Sequence, residues 1–121
     1  MKFPSDAAVT AGKLDELRAR IARLGVDMNA LDEQAVKGSG PGGQKVNKTS
    51  SGVLLRYSLR VGESTELIVV KWARERQRSL NRFLALREMI DEIELRISPQ
   101  TSRKLIEQQR IRKQKDRARR R

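Results

Sequence analysis

Neither cysteine nor histidine occurs anywhere in the 121 residues. Their absence removes disulfides, thiol nucleophiles, zinc sites of the usual kind and every Ser-His or Cys-His catalytic arrangement. Any enzyme made from this chain must work without a titrating imidazole or thiolate. Acidic residues are also scarce: 15 Asp+Glu stand against 27 Lys+Arg, a formal net charge of +12. No apolar run approaches the roughly 18 residues of a membrane span. The opening stretch MKFPSDAAVTAGK has one early lysine but no apolar core of the kind a secretory leader needs. The expectation is a soluble, cytosolic protein that does not engage a membrane as an integral component.

What is present is a composition of 37% hydrophobic and 35% charged residues, enough for one compact domain with a modest core. The positive excess points first to a polyanionic partner, with nucleic acid ahead of an acidic membrane surface. From Arg103 onward ten basic and two acidic residues leave +8, about two-thirds of the net charge, in the last nineteen positions. The remaining body is only mildly basic. Because this tail has no broad apolar face, it is expected to be disordered or a frayed helix when free, and helical on RNA.

Periodicity supplies the other elements. Leu14, Leu17, Ile21 and Leu24 fall on one helical face, with Thr10 as a cap and Gly25 as a stop. ALDEQAV reads as a weak strand, and Val53, Leu55, Tyr57, Leu59 and Val61 alternate strictly with Leu54, Arg56, Ser58 and Arg60, the pattern of a half-buried strand. GEST makes a turn into the β-rich run ELIVVKW, so the two runs pair as an antiparallel hairpin. Leu80, Phe83, Leu86, Ile90, Ile93 and Ile97 form the buried face of a long helix ended by Ser98-Pro99. The predicted fold is α+β: a small, mostly antiparallel sheet with the long helix packed across it, an N-terminal helix within residues 1–29, and a basic tail over residues 99–121.

Between the weak strand and the alternating one lies GSGPGGQKVNKTS, with four glycines, a proline, two lysines and one aliphatic side chain, Val46. Gly38, Gly40 and Gly43 satisfy G-x-G-x-x-G, with Glu63 about twenty residues on. A dinucleotide fingerprint, however, needs a buried strand before it and a helix after it, and here a polar segment precedes and a strand follows. A Walker-type loop fails because Gln44 separates Gly43 from Lys45. A plain glycine-rich hairpin loop would explain the flexibility but not Gln44, Asn47 and Thr49.

Taken together, VKGSGPGGQKVNKTSSGVLLRY resembles the peptidyl-tRNA hydrolase domain of class I peptide chain release factors. Their signature S-G-x-G-G-Q-x-x-N-x-T-x-S/A-x-V is met by Ser39, Gly40, Gly42, Gly43, Gln44, Asn47, Thr49 and Val53. A second block, VVKWARERQRSLNR, is similar to the family's strand-to-helix segment at Val69, Val70, Arg76 and Asn81, while Gln77 and Arg78 replace the usual Ser-Gln. The resemblance covers about residues 30 to 97, and the chain has no room for a stop-codon-reading domain. It is most similar to the small, codon-independent ribosome-rescue factors, in particular the short mitochondrial rescue-type subgroup that shares V-K-G-x-G-P-G-G-Q.

The resemblance implies peptidyl-tRNA ester hydrolysis on stalled ribosomes or large subunits, carried by residues 30–98 without reading a stop codon and with no cofactor or metal. Gly42, Gly43 and Gln44 would be catalytic. Ser39, Gly40, Pro41, Asn47 and Thr49 would support the loop, though Asn47 and Thr49 also read as structural, bonding the loop base to the strand. Lys37, Lys45 and Lys48 flank the loop, with no acidic residue from Lys37 to Leu59. With Arg76 and the tail residues Arg103, Lys104, Arg110, Arg112, Lys113, Lys115, Arg117, Arg119, Arg120 and Arg121, they make up the expected RNA-binding set. Expected partners are the ribosome, through its large-subunit RNA, its peptidyl-tRNA and its mRNA channel, and a glutamine methyltransferase acting on Gln44. The chain is expected as a monomer in the bacterial cytosol, with an organelle as the alternative. Two rival readings stand beside this one: a release-factor-like protein that needs a partner for recognition, and a non-catalytic ribosomal RNA-binding protein.

Overall fold

The computed structural model describes residues 1–37, 51–98 and 103–119. The glycine segment and the Pro99-Gln100 linker region lie outside the described residues. The elements follow in the order α1 (Ala11–Leu24), β1 (Asp32–Val36), β2 (Gly52–Val61), β3 (Ser64–Trp72), α2 (Arg78–Ile97) and α3 (Arg103–Arg119). The α+β expectation holds.

Helix α1 begins and ends where its sequence says. Thr10 is extended at φ −66°, ψ 151°, and its side chain accepts from the Lys13 amide, while Gly25 takes the left-handed conformation at φ 68°. Leu17 and Ile21 are buried, and so is Arg20 between them, a residue outside the apolar set read from periodicity.

The sheet is antiparallel throughout, in the order β1-β2-β3, with Val53 opposite both Ala35 and Trp72. β2 and β3 are joined by Gly62 and Glu63, since Val61 pairs directly with Ser64. Two-residue hairpins place a positive-φ residue at the first turn position, and Gly62, at φ 62°, occupies it. The turn is thus shorter than the four residues GEST, whose last two extend β3.

One face of the sheet is covered by α2. Val53, Leu55 and Tyr57 on β2 and Ile68 and Val70 on β3 meet Phe83, Ala85, Leu86, Met89, Ile90 and Ile93. Each fully buried large side chain contributes about 1.5–3 kcal/mol through removal from water. Ala85 and Met89 widen the stripe beyond the expected positions, whereas Ile97 is 40% exposed because the helix runs past the end of the packed surface.

Three sets of ion pairs pin α2, one of them Arg82 to Glu33 on β1. Arg96 reaches Glu66 on β3 at 3.0 Å and Glu92 at 2.7 Å. Arg20 reaches Asp91 at 2.7 Å and Glu94 at 2.8 Å, and Arg23 takes the other Glu94 oxygen at 2.8 Å. Burial alone would pull the Arg20 guanidinium down, but its hydrogen bonds to Glu94 and Asp91 and their charges outweigh it, so its pKa is raised.

Candidate functional site

β1 runs toward the glycine segment and β2 runs away from it, so Lys37 and Ser51 are its two stems and the pair Val36–Gly52 closes its base. The end of β3 and the start of α2 lie at the same end of the sheet, because Trp72 faces Val53 across the ladder. Four chain segments therefore converge there: the two stems, the connection 73–77, and the first turn of α2.

Asn81 joins these segments. It is fully buried in the first turns of α2, and its side-chain amide donates to the carbonyls of Ser51 at 2.7 Å and Glu75 at 2.9 Å. Its Oδ1 accepts from the Glu75 amide at 3.0 Å. The side chain thus satisfies backbone groups on both the loop stem and the strand-to-helix connection, in a place where unpaired polar atoms are costly.

Gly52 is the second fixed point. A Cβ there would lie 2.8 Å from the Val36 carbonyl oxygen, 2.9 Å from Val36 Cγ2 and 3.0 Å from Ala73 Cβ. The stems approach each other and the connection so closely that only hydrogen fits. A glycine just before a strictly alternating strand signals such an approach in sequence, and an asparagine within the apolar run of a helix signals a buried bonding role. Neither residue belonged to the expected site, although Asn81 matched the second motif.

Around this base the charge is one-sided. Lys37, Lys71, Arg74, Arg76 and Arg78 are all exposed, with Glu75 the one carboxylate among positions 71–78. None of the five cations is ion-paired among the described residues. The Arg74 guanidinium lies 5.2 Å from the Trp72 ring centroid, a cation–π contact that braces the end of β3. This end of the domain presents fixed backbone and free positive charge, an arrangement suited to phosphate-rich surroundings.

Of the expected site residues, Ser39, Gly40, Pro41, Gly42, Gly43, Gln44, Lys45, Asn47, Lys48 and Thr49 lie outside the described residues, as do Arg120 and Arg121. Lys37 and Arg76 come together at the loop end. Arg103 and Lys104 open α3, while Arg110, Arg112, Lys113, Lys115, Arg117 and Arg119 are exposed along it, Arg110 pairing with Glu107 at 3.0 Å. α2 begins at the loop end and is 20 residues long, about 30 Å at 1.5 Å per residue. The tail therefore leaves the domain from the end remote from the loop.

No helix among the described residues is long and apolar enough to cross a membrane, and they contain no cluster of metal-ligating side chains. An RF-1 domain model matches residues 19–121. The human protein named mitochondrial translation release factor in rescue is 42% identical over 87 residues, covering 69% of this chain and 49% of that protein. Its mouse namesake is 36% identical across 96% of this chain and 61% of its own length. A Danio rerio namesake is 50% identical across 51% of this chain and 35% of its own length. The chain spans about half to three-fifths of the length of the human and mouse relatives. These names place the relatives in mitochondria and lend no support to the expected bacterial cytosol. With its family model covering most of the chain, and with relatives that share one name, the protein belongs to the RF-1 domain family of class I release factors, in the rescue-type subgroup.

Proposed function

We propose that the chain hydrolyses the ester of peptidyl-tRNA on stalled ribosomes or free large subunits, releasing the nascent peptide without reading a stop codon. The observation that carries this reading is the convergence of the loop stems, Asn81 and unpaired cations at one end of the sheet in a chain of the release-factor family. Water adds to the ester carbonyl, the carbonyl–oxygen bond to the ribose breaks, and the terminal hydroxyl of the tRNA leaves with a proton. Glutamine does not titrate, so Gln44 acts by position rather than as a base. Its backbone N–H stabilises charge developing in the transition state, and its side chain admits water in place of bulkier nucleophiles. Gly42 and Gly43 let the backbone approach the tRNA end where a Cβ would block it. Ribosomal RNA and tRNA supply the remaining groups. Gln44 is the proposed target of a glutamine methyltransferase, the working unit is a monomer, and an organelle is the compartment that the names of the relatives favour.

α3 acts as an electrostatic anchor on ribosomal RNA or in the empty mRNA channel, substituting for codon recognition. The deciding assay is peptide release from stalled ribosomes with and without a stop codon in the A site. Release at equal rates in both supports the proposal. Release only with the stop codon overturns it, release only after a second protein is added favours partner-dependent recognition, and tight binding without release favours a non-catalytic RNA-binding role.

A further inference from the structure

α2 covers one face of the sheet, and the opposite face is left open. Register places Arg56 opposite Asp32 and Val69, Arg60 opposite Thr65, and Ser58 opposite Leu67, so these side chains share the open face with Lys71. Arg56, Arg60 and Lys71 are exposed, and Leu67 and Val69 are 60% and 52% exposed. Four arginines on the other side of the domain are engaged by carboxylates: Arg20, Arg23, Arg82 and Arg96 each hold at least one. Arg56, Arg60 and Lys71 hold none among the described residues, even though Asp32 sits across from Arg56.

We infer that this open face is a second RNA-binding surface, distinct from the loop end and from α3, and that it takes the phosphate backbone of a structured RNA segment. Arg56 and Lys71 are diagonal neighbours on adjacent strands, about 7–8 Å apart at their bases, and Arg60 lies four residues farther along β2, about 13 Å away. A flat row of cations at these separations can meet several phosphates of one strand at once. The distribution of apolar area argues for RNA over protein. Protein interfaces bury an apolar centre within a polar rim. Here the arrangement differs: the central strand β2 carries Arg56 and Arg60 with Leu54 half-buried beside Lys71, and the strongly exposed apolar side chains, Leu67 and Val69, stand on the edge strand β3. At that margin the aliphatic side chains would lie against ribose and limit the access of water to the phosphate contacts. The inference does not depend on the hydrolytic reading, because it concerns binding and is measured by binding.

The test uses the full chain and a short RNA hairpin of arbitrary sequence. The double variant Arg56→Gln/Arg60→Gln is compared with a control of identical net charge, Lys13→Gln/Arg18→Gln, whose changes lie on α1. Removing two phosphate-binding cations should lower the slope of log K against log salt by about 1.5 and weaken binding about tenfold at low salt, while the control stays near wild type. Lys71→Gln, a milder single change, should lower the slope by about half as much. Thermal melting of each variant establishes that it is folded. Equal slopes for the double variant and the control overturn the inference, showing that the cations act only through net charge. Unchanged hairpin binding with lost retention on ribosomes also overturns it, and reassigns the face to a protein partner.

Discussion

The buried side-chain amide of Asn81 donates to the carbonyl oxygen of Ser51 at 2.7 Å across thirty residues of sequence, tying the first turns of α2 to the exit stem of the glycine segment. The same side chain makes both remaining bonds to the backbone of Glu75. Replacing Asn81 by Ala leaves those three backbone groups without their partner, and each buried unsatisfied group costs about 1–3 kcal/mol. The expected loss is about 3 kcal/mol in denaturant melts, together with slower peptide release at saturating factor. Asn81→Asp keeps the acceptor and loses the donor, so it should lose stability by a similar or larger amount. Wild-type stability in both variants would remove Asn81 from the loop base.

Gly52→Ala tests the closeness of the stems directly. The nearest obstacle is the Val36 carbonyl oxygen at 2.8 Å, which is backbone and cannot swing aside. The strands must part, and overpacking of this kind costs about 1–3 kcal/mol. The same substitution at Gly12, where a Cβ would meet nothing within 4 Å, should be neutral or slightly stabilising in the helix. Equal melting temperatures for the two variants would contradict the close approach.

Arg20→Met removes the cation from a site where Asp91 is 11% and Glu94 1% exposed at the side chain. Breaking a buried pair by deleting one partner costs about 3–5 kcal/mol, with Arg23 retained as partial compensation for Glu94. The sign of the pH effect follows from the raised pKa of Arg20. Stability from a group with a raised folded pKa is fully present below the unfolded pKa and is lost only as pH rises through the folded one. For arginine that window lies at extreme alkalinity. The wild-type advantage over Arg20→Met should therefore persist from neutral to mildly alkaline pH in urea titrations, and an advantage that vanishes on going to mildly alkaline pH would be inconsistent with it.

Gly43→Ala is expected to abolish most release without unfolding the chain. It adds a Cβ where the proposed mechanism needs close approach, and losing one well-aimed donor costs on the order of a hundredfold or more in rate. Ribosome binding and thermal stability should match wild type. Unchanged release would sink the proposed site, and a collapse in stability would make the glycine structural.

Truncation before Arg103 should leave the domain folded, since Ile106 and Ile111 on α3 are exposed and contribute little to the core. Ribosome affinity should fall, and its salt dependence should flatten by about 0.7–0.9 for each phosphate that the tail no longer neutralises. Saturating concentrations of truncated factor should partly restore release, because Gly42, Gly43 and Gln44 remain. Equal affinity and slope with and without the tail would show α3 to be a solvated helix.

Local pattern determined a good deal. The caps of α1, the alternation of β2, the length of α2 and the concentration of charge beyond Arg103 depend on residues a few positions apart, whose physics is readable along the chain. The glycine segment with its flanking polar residues likewise announced its family, because its signature is contiguous. Tertiary structure alone decided which polar residues became buried. Arg20 finds its partners only when α2 brings Asp91 and Glu94 to it from more than seventy positions away. Asn81 finds its partners only when the sheet carries Ser51 and Glu75 to its amide. Which face of the sheet stays open, and therefore that Arg56, Arg60 and Lys71 have no ion-pair partner there among the described residues, depends on where α2 packs. Burial and partnership are properties of the assembled fold, and no spacing within a single element encodes them.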